Sequence, residues 1–214
     1  MSQELIKTHF RVRPLPGASE GKKYLSEKLG KARTEVILDR VKLQYSRLMN
    51  ESVSPENNIL RFHLEKYILP GLALFRVLLD EYDGNTQLAM ADVEEVVRLT
   101  ILKQTRLLFS PLKWFQDPFP LFRRGFSLVM KAFPAQGWTI DYLENNPQSI
   151  AFNITHCYYH EVLTQLGTPE LTRVFCRADD AMAEHFPPEI RFERSTTIGK
   201  GGELCDFCYK RVVD

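Results

Sequence analysis

The chain has 214 residues, of which 44% are hydrophobic and 26% are charged, and its formal net charge is +1. This composition is that of an ordinary globular protein, and it excludes a disordered, collagen-like or coiled-coil chain. Because basic and acidic residues nearly balance, no long-range field would draw the protein to phosphates or to anionic lipid. We therefore expect neither nucleic acid nor a membrane among its partners.

The N-terminal residues and the cysteines indicate in which cellular compartment the protein is expected. Residues 1–13 mix charged and apolar side chains and lack the uninterrupted apolar segment of a signal peptide. The longest apolar stretches are too short and too charged to cross a bilayer. We therefore expect a cytoplasmic protein whose four cysteines are reduced thiols, with buried packing, metal binding or catalysis as their roles.

The first half of the chain predicts a layer of helices. Apolar residues recur at helical spacing over 32–49, 57–82 and 86–108. Pro70 and Gly71 lie within the second of these stretches and predict either a kinked helix or two helices that meet there.

In two segments around these helices, the apolar residues recur at neither helical nor strand spacing. Residues 1–31 carry scattered prolines, glycines and charges and are predicted to form an N-terminal arm or loop. Residues 109–133 are rich in aromatic residues and prolines, which favours plain inter-layer core. Two alternatives for this aromatic segment are the lining of a pocket and a contact with another subunit.

The second half alternates strand-like and helical patterns. Their order is strand, strand, helix, helix, strand, strand, at 138–143, 149–155, 156–166, 169–185, 190–198 and 204–212. This order predicts a four-stranded antiparallel sheet with two helices on one face. The fold class is thus α+β, a helical N-terminal half packed on a ββααββ sheet domain. The predicted division is an arm at 1–31, a helical region at 32–137 and the α+β domain at 138–214, with one compact domain as the alternative.

Cys157 is predicted to begin a helix directly after a strand. His160 and Glu161 follow three and four positions later, so the three side chains share one helix face. A thiol near a helix N-terminus and an imidazolium has a lowered pKa, which makes it a nucleophile or a metal ligand. The alternative is that Cys157 packs as a small buried hydrophobe.

The next predicted helix repeats this arrangement. Cys176 is followed at three and four positions by Asp179 and Asp180. Adjacent carboxylates in a helix repel each other, which favours a role in binding a cation or a polar ligand over a solvated surface.

The last predicted hairpin adds further candidates. Cys205 and Cys208 are three positions apart on a strand and face opposite ways, so only one of them should reach a shared site, and Cys205 is favoured. On the partner strand, Arg194 is predicted to bind a substrate carboxylate through two hydrogen bonds, with a surface arginine as the alternative. Thr196 and Asp206 are further substrate-binding candidates.

Four segments of the second half, at 152–159, 166–171, 192–197 and 202–207, together resemble the L-2-amino-thiazoline-4-carboxylic acid hydrolase family. The likeness covers mainly 138–212 and extends more weakly from about Asn57. It implies a bacterial type of hydrolase that opens a small cyclic thiazoline acid at its carbon and nitrogen bonds, giving a carbamoyl-cysteine product. The positions that match the family's pattern are Cys157, Cys176, Asp180, Cys205 and Asp206.

Two mechanisms fit these residues. In the first, Cys157 attacks the amidine-like ring carbon, His160 shuttles the proton and Asp179 or Asp180 orients the amino group. In the second, the thiolates of Cys157, Cys176 and Cys205 hold a metal that activates water. The sequence requires no cofactor, and zinc or another divalent metal is compatible with it. The predicted catalytic residues are Cys157, His160, Cys176, Asp179, Asp180 and Cys205.

A different class of function is also compatible with the sequence. The same pocket could serve a non-enzymatic sensor domain that binds a small ligand or a metal. A small molecule is the expected partner in either case, and a homo-oligomer is compatible with both.

Overall fold

The computed structural model describes residues 18–212. Helices make up the first half of this range: α1 (Ala18–Leu29), α2 (Lys31–Glu51), α3 (Asn58–His63), α4 (Leu69–Glu81), α5 (Thr86–Phe109) and α6 (Phe119–Val129). Two of them begin at asparagines whose side chains cap the helix: Asn57 accepts hydrogen bonds from the first amides of α3, and Asn85 accepts one from α5. No helix among residues 18–212 is long and apolar enough to cross a bilayer.

The second half forms an antiparallel sheet with two helices. Its elements are β1 (Trp138–Asn145), β2 (Ser149–Cys157), α7 (Tyr158–Gln165), α8 (Thr172–Ala183), β3 (Ile190–Glu193) and β4 (Cys205–Arg211). The four strands are arranged in the order β1-β2-β4-β3, and all three pairings are antiparallel. The predicted α+β class, with a helical half followed by ββααββ, is confirmed.

The segment predicted as an arm is helical where the structure describes it. Helix α1 packs on α2 and α5, and its Leu25 is buried. Gly21 allows the close approach to α5, because a Cβ at this position would lie 2.7 Å from Cγ1 of Val96. The prediction of an arm or loop was wrong for 18–29, where Tyr24, Leu25 and Leu29 supply an apolar face. Residues 1–17 of the predicted arm lie outside the described residues.

The helical path is continuous through Pro70. A π-helical turn, Leu64–Ile68, connects α3 to α4 directly before the proline. Proline has no N–H to donate within the helix, and a π turn is one way in which a helix accommodates this loss. Gly71 then leaves room for Phe175 of α8, since a Cβ at Gly71 would lie 2.7 Å from the Phe175 ring.

The last hairpin has shorter strands than predicted. Strand β3 ends at Glu193 instead of continuing to Ile198, and the connection 194–204 contains a 3-10 turn, Ile198–Lys200. The physical reason lies in Asp206, whose carboxylate accepts hydrogen bonds from the backbone amides of Ser195 and Thr196. These amides are therefore not available for pairing in the sheet.

The aromatic segment divides between core and surface. Phe119 and Phe122 are buried, and Phe122 and Phe126 contact Tyr209 of the sheet. Trp114, in contrast, is 85% exposed. The segment thus contributes to the core between the helices and the sheet and also reaches the surface.

Candidate functional site

A cavity of about 670 Å³ lies where α3, α5, α7 and α8 meet the sheet. Most of its lining is apolar, with contributions from Phe62, Val97, Ile101, Trp138 and Phe175. Its ionisable lining groups include three thiols, one carboxylate and one guanidinium: Cys157, Cys176, Cys205, Asp179 and Arg194. The fold thus brings these five residues, which span 48 positions from Cys157 to Cys205, together at one cavity.

The thiols of Cys176 and Cys205 are hydrogen-bonded to each other. Donation by Cys205 is the main reason why the pKa of Cys176 falls to about 7, and the amide of Gly199 acts in the same direction against burial. The same bond and burial raise the pKa of Cys205. The amide of Ile198 lies 3.2 Å from Sγ of Cys205 and fixes this thiol. This hydrogen bond and the Gly199 amide favour a thiolate on Cys176 over one on Cys205.

Gly199 is required for this arrangement. A Cβ at this position would lie 2.8 Å from Sγ of Cys176 and 2.8 Å from the backbone nitrogen of Arg173. Any side chain would push the loop away from α8, because contacts this short do not occur for real Cβ atoms. The glycine thus lets a backbone amide reach the sulfur of Cys176.

The pKa of Cys157 differs from that expected for a thiol at the N-terminus of a helix. It is the last residue of β2 and the N-cap of α7, as the sequence suggested. Burial nevertheless raises its pKa to about 11, although the amides of His160 and Tyr159 act in the opposite direction. The expected lowering of the Cys157 pKa was wrong, because the loss of water outweighs the helix N-terminus. The role of Cys157 as a nucleophile stays a prediction.

Asp179, Asp180 and Arg194 form an ion-pair group around a buried guanidinium. The guanidinium of Arg194 donates to Oδ2 of Asp179 at 2.8 Å, to Oδ1 of Asp180 at 2.9 Å and to the carbonyl of Cys176 at 2.8 Å. Its side chain is only 4% exposed and also lies over the rings of Phe207 and Phe192. Arg194 thus holds the two carboxylates in place, and its predicted contact with a substrate carboxylate stays a prediction.

The two carboxylates of this group face different surroundings. Asp179 lines the cavity, and burial raises its pKa to about 6 despite the neighbouring Arg194. The side chain of Asp180 is 49% exposed, and this residue is not part of the cavity lining. Of Asp179 and Asp180, it is therefore Asp179 that can contact a ligand in the cavity.

Three further predicted residues lie outside the cavity lining. The side chain of His160 is linked to the cavity lining by Thr172, whose Oγ1 is 3.2 Å from Nδ1 of His160. The amide of Thr196 donates to Asp206 at 2.6 Å, and the hydroxyl of Ser195 donates to the same carboxylate at 2.6 Å. Burial raises the pKa of Asp206, but these hydrogen bonds outweigh it and lower the pKa overall. Asp206 and Thr196 shape the loop after β3.

Sequence reasoning did not identify His63 and Tyr159, which also line the cavity. Nδ1 of His63 is 2.9 Å from the hydroxyl of Tyr159, and Nε2 is 2.8 Å from the carbonyl of Ala132. Burial lowers the pKa of His63, so the neutral ring donates from Nε2 and accepts the Tyr159 hydroxyl at Nδ1. In the sequence, a single histidine on an apolar helix looks like an ordinary core residue, and nothing indicates that His63 pairs with Tyr159.

The predicted metal ligands are the thiolates of Cys157, Cys176 and Cys205. Among residues 18–212, no three His, Cys, Asp or Glu side chains are placed so that they could hold a metal ion. Cys157, Cys176 and Cys205 line the same cavity without forming a ligand set in this conformation.

Three kinds of known proteins were informative to different degrees: curated sequences, solved structures and a protein family. No curated protein sequence matches the chain. Among solved structures, the unliganded Fe(II) H-NOX protein from K. algicida aligns with a TM-score of 0.41 and 15% identity, covering 92% of this chain and 95% of that one. An H-NOX protein from S. oneidensis in the Fe(II)NO state gives 0.39 and 13%, with 92% and 98% covered. These TM-scores are too low to say anything about ligand or activity.

The family comparison covers most of the chain. The model of the L-2-amino-thiazoline-4-carboxylic acid hydrolase family matches residues 61–209. This range includes most of the cavity lining, from Phe62 to Phe207. The chain belongs to the L-2-amino-thiazoline-4-carboxylic acid hydrolase family.

Proposed function

We propose that this protein is a hydrolase that opens the ring of a cyclic amidine of the 2-amino-thiazoline-4-carboxylate type, with Cys176 as its nucleophile. The observation that carries the proposal is a thiol with a pKa of about 7 that lines a cavity together with Asp179. The lowered pKa increases the share of this thiol that is thiolate near neutral pH, and the thiolate is the form that attacks carbon. The nucleophile is thus Cys176 in place of Cys157.

The proposed reaction uses the chain's own side chains and water. The Cys176 thiolate bonds to the amidine carbon of the protonated substrate. The ring carbon–nitrogen bond breaks as the ring nitrogen takes a proton from Asp179 and leaves as an amine. Water then adds to this carbon and returns one proton to Asp179. Cys176 leaves as a thiolate as the carbonyl forms, and the remaining hydroxyl proton passes to the released amine. The product is a ring-opened carbamoyl compound. A carboxyl with a pKa of about 6 suits both proton transfers.

Other predicted residues have supporting parts in this proposal. Arg194 positions Asp179, and Cys205 keeps the pKa of Cys176 low through its hydrogen bond. His160 adjoins the cavity through Thr172 and is proposed as a proton relay to solvent. We also propose a cytoplasmic location, where the thiols stay reduced.

Binding without turnover is the second candidate. It is favoured by the predominance of apolar side chains in the cavity lining, a composition typical of ligand-binding pockets in general. Under this alternative, the protein would bind a small molecule as a sensor and release it unchanged.

A turnover experiment separates the two candidates. The protein is incubated with 2-amino-thiazoline-4-carboxylate, and the carbamoyl product is measured by mass spectrometry. We expect product from the natural protein and from Cys208→Ser, since Cys208 does not line the cavity, and a loss of roughly 10³-fold or more in Cys176→Ser. Calorimetric binding without product would favour the sensor. Equal rates in both variants would overturn the role of Cys176.

A further inference from the structure

A second cavity, of about 370 Å³, lies between α5, α6 and the sheet. We call it the aromatic chamber. Its walls include Phe109, Phe122, Phe126, Phe152 and Tyr209. Asp179 is the one charged residue in its lining among the described residues.

The aromatic chamber and the main cavity share part of their walls. Phe133, Asp179, Met182 and Phe207 line both spaces, so the partition between them is one layer of side chains thick. Methionine is unbranched and has three rotatable bonds, which makes Met182 the most easily moved part of this partition. A ligand held beside Asp179 could therefore extend from one space into the other.

The size and chemistry of the two spaces exceed what a small acid needs. A single-ring acid would contact the thiols and Asp179 and leave most of the apolar lining without a partner. Cavities of about 300 to 1,000 Å³ usually bury ligands of drug size, and binding energy comes mainly from the apolar area removed from water. Among the described residues the chamber offers almost only such area.

The chamber also reaches the surface. Leu108, Leu121 and Val129 line it and are at the same time exposed, so an apolar group can enter between α5 and α6 without first passing the thiols. Exposed apolar side chains that continue into a cavity are typical of an entrance for apolar ligands.

We propose that the two spaces are one binding site for an amphiphilic cyclic amidine. The amidine group lies in the main cavity beside Cys176 and Asp179, and an alkyl chain or aromatic group fills the aromatic chamber. The position of the amidine group rests on the proposed function, whereas the binding of the apolar group rests on the chamber alone.

Gly125 of α6 provides a direct test, because it lines the chamber and a Cβ added there would meet nothing within 4 Å. Gly125→Phe adds an aromatic ring at this point of the chamber wall, and we expect this ring to occupy the chamber. Gly125→Ala is the matched control, since it adds one methyl group at the same place and alanine favours the helix.

Two compounds are compared by titration calorimetry: 2-amino-thiazoline-4-carboxylate and 2-amino-thiazoline carrying a decyl chain, the latter below its critical micelle concentration. The natural protein and Gly125→Ala should bind the decyl compound at least about tenfold more tightly than the small acid. Gly125→Phe should lose about tenfold or more of the affinity for the decyl compound and keep that for the small acid. Equal affinities in the natural protein, or unchanged decyl binding in folded Gly125→Phe, would overturn the proposal.

The outcome is distinguishable from that of the proposed function. Decyl binding that depends on Gly125 but yields no product would leave the two-part site standing and refute the hydrolase. Hydrolysis of the small acid without tighter binding of the decyl compound would support the hydrolase and refute the two-part site. Circular dichroism of each variant shows whether it is folded before either conclusion is drawn.

Discussion

Two carboxylates with hydrogen-bond partners inside the fold, one in each half of the molecule, are held in opposite ways. Asp92 of α5 is 0% exposed and accepts hydrogen bonds from the hydroxyls of Tyr24 and Tyr82 and from the ammonium of Lys28. Asp179 of α8 shares a single guanidinium, that of Arg194, with Asp180 and keeps 36% of its side chain exposed at the cavity. The carboxylate of Asp92 is thus surrounded by hydrogen-bond donors, whereas that of Asp179 is still accessible to a ligand in the cavity.

The difference indicates what each carboxylate does. Burial raises the pKa of Tyr24 and of Tyr82, so both stay protonated and donate to Asp92, which ties α1 and the end of α4 to α5. A buried charge with this many partners is stable and has no capacity left for a ligand. Asp179, with its pKa raised to about 6, can exchange a proton near neutral pH. We expect the first to serve stability and the second to serve chemistry.

Replacing Asp179 gives the largest expected effect. In Asp179→Asn the rate of ring opening should fall about 10² to 10⁴-fold, because the amide cannot transfer the proton. The measurement is the initial rate of product formation. Asp180→Asn is the matched control, since Asp180 binds the same Arg194 from outside the cavity lining. If both variants lose the same activity, pairing with Arg194 matters and the position of Asp179 does not.

Replacing Asp92 should affect stability instead. Asp92→Ala should lower the free energy of unfolding by about 3 kcal/mol, because Lys28 and two tyrosine hydroxyls lose their partner. Urea denaturation measures this change, and the rate per folded molecule should stay constant. Asp39→Ala, which removes an exposed pair with Lys42, should cost no more than about 0.5 kcal/mol. If Asp92→Ala and Asp39→Ala lost similar free energy of unfolding, the stabilising role of Asp92 would be contradicted.

The thiols beside Asp179 allow a third test. The Cys205 thiol and the Gly199 amide lower the pKa of Cys176, whereas burial raises the pKa of Cys157 to about 11, so Cys176 has the larger thiolate fraction at pH 7. Iodoacetamide should therefore modify Cys176 first, as measured by peptide mass spectrometry. In Cys205→Ala the midpoint of Cys176 modification should move to higher pH, because the donated hydrogen bond is lost. Earlier modification of Cys157 would refute the assignment.

The smallest expected effect concerns the pH dependence of stability. The pKa of Asp179 is raised from 3.8 to about 6 in the folded protein, so between these pH values the folded state binds more protons than the unfolded state. The free energy of unfolding contributed by this group therefore falls as pH rises through this range. In Asp179→Asn this fall should disappear, which urea denaturation at pH 4, 5, 6 and 7 would detect relative to Asp180→Asn. Parallel curves for all three proteins would show that Asp179 has no raised pKa.

The fold could be predicted from the sequence because its signals are local. Helical spacing and turn residues gave the helices and the order of the strands, and Cys157 was correctly placed between β2 and α7. Helix α1 was missed because Gly21 reads as a loop residue, whereas in the fold it allows contact with Val96. A glycine at a close helix contact and a glycine in a loop look the same in one sequence.

The site could be predicted only in part. The cavity lining includes Cys157, Cys176, Asp179, Arg194 and Cys205, all of which the sequence had singled out. Which thiol has the lower pKa depends on the loop that carries Gly199 and on burial, and no residue spacing reports either. His63 meets Tyr159 from 96 positions away, which only the packed fold reveals. The expectations about nucleic acid, membranes and self-association stay predictions.

The close approach at Gly199 links reactivity to folding. The amide that favours the Cys176 thiolate belongs to the last connection of the chain, and so does the backbone that fixes Cys205. Before β4 joins the sheet, Cys176 lacks both influences and is an ordinary thiol, protonated at neutral pH. We therefore expect the reactivity of this sulfur at neutral pH to rise when the C-terminal strand docks, so that alkylation of Cys176 would report this step of folding.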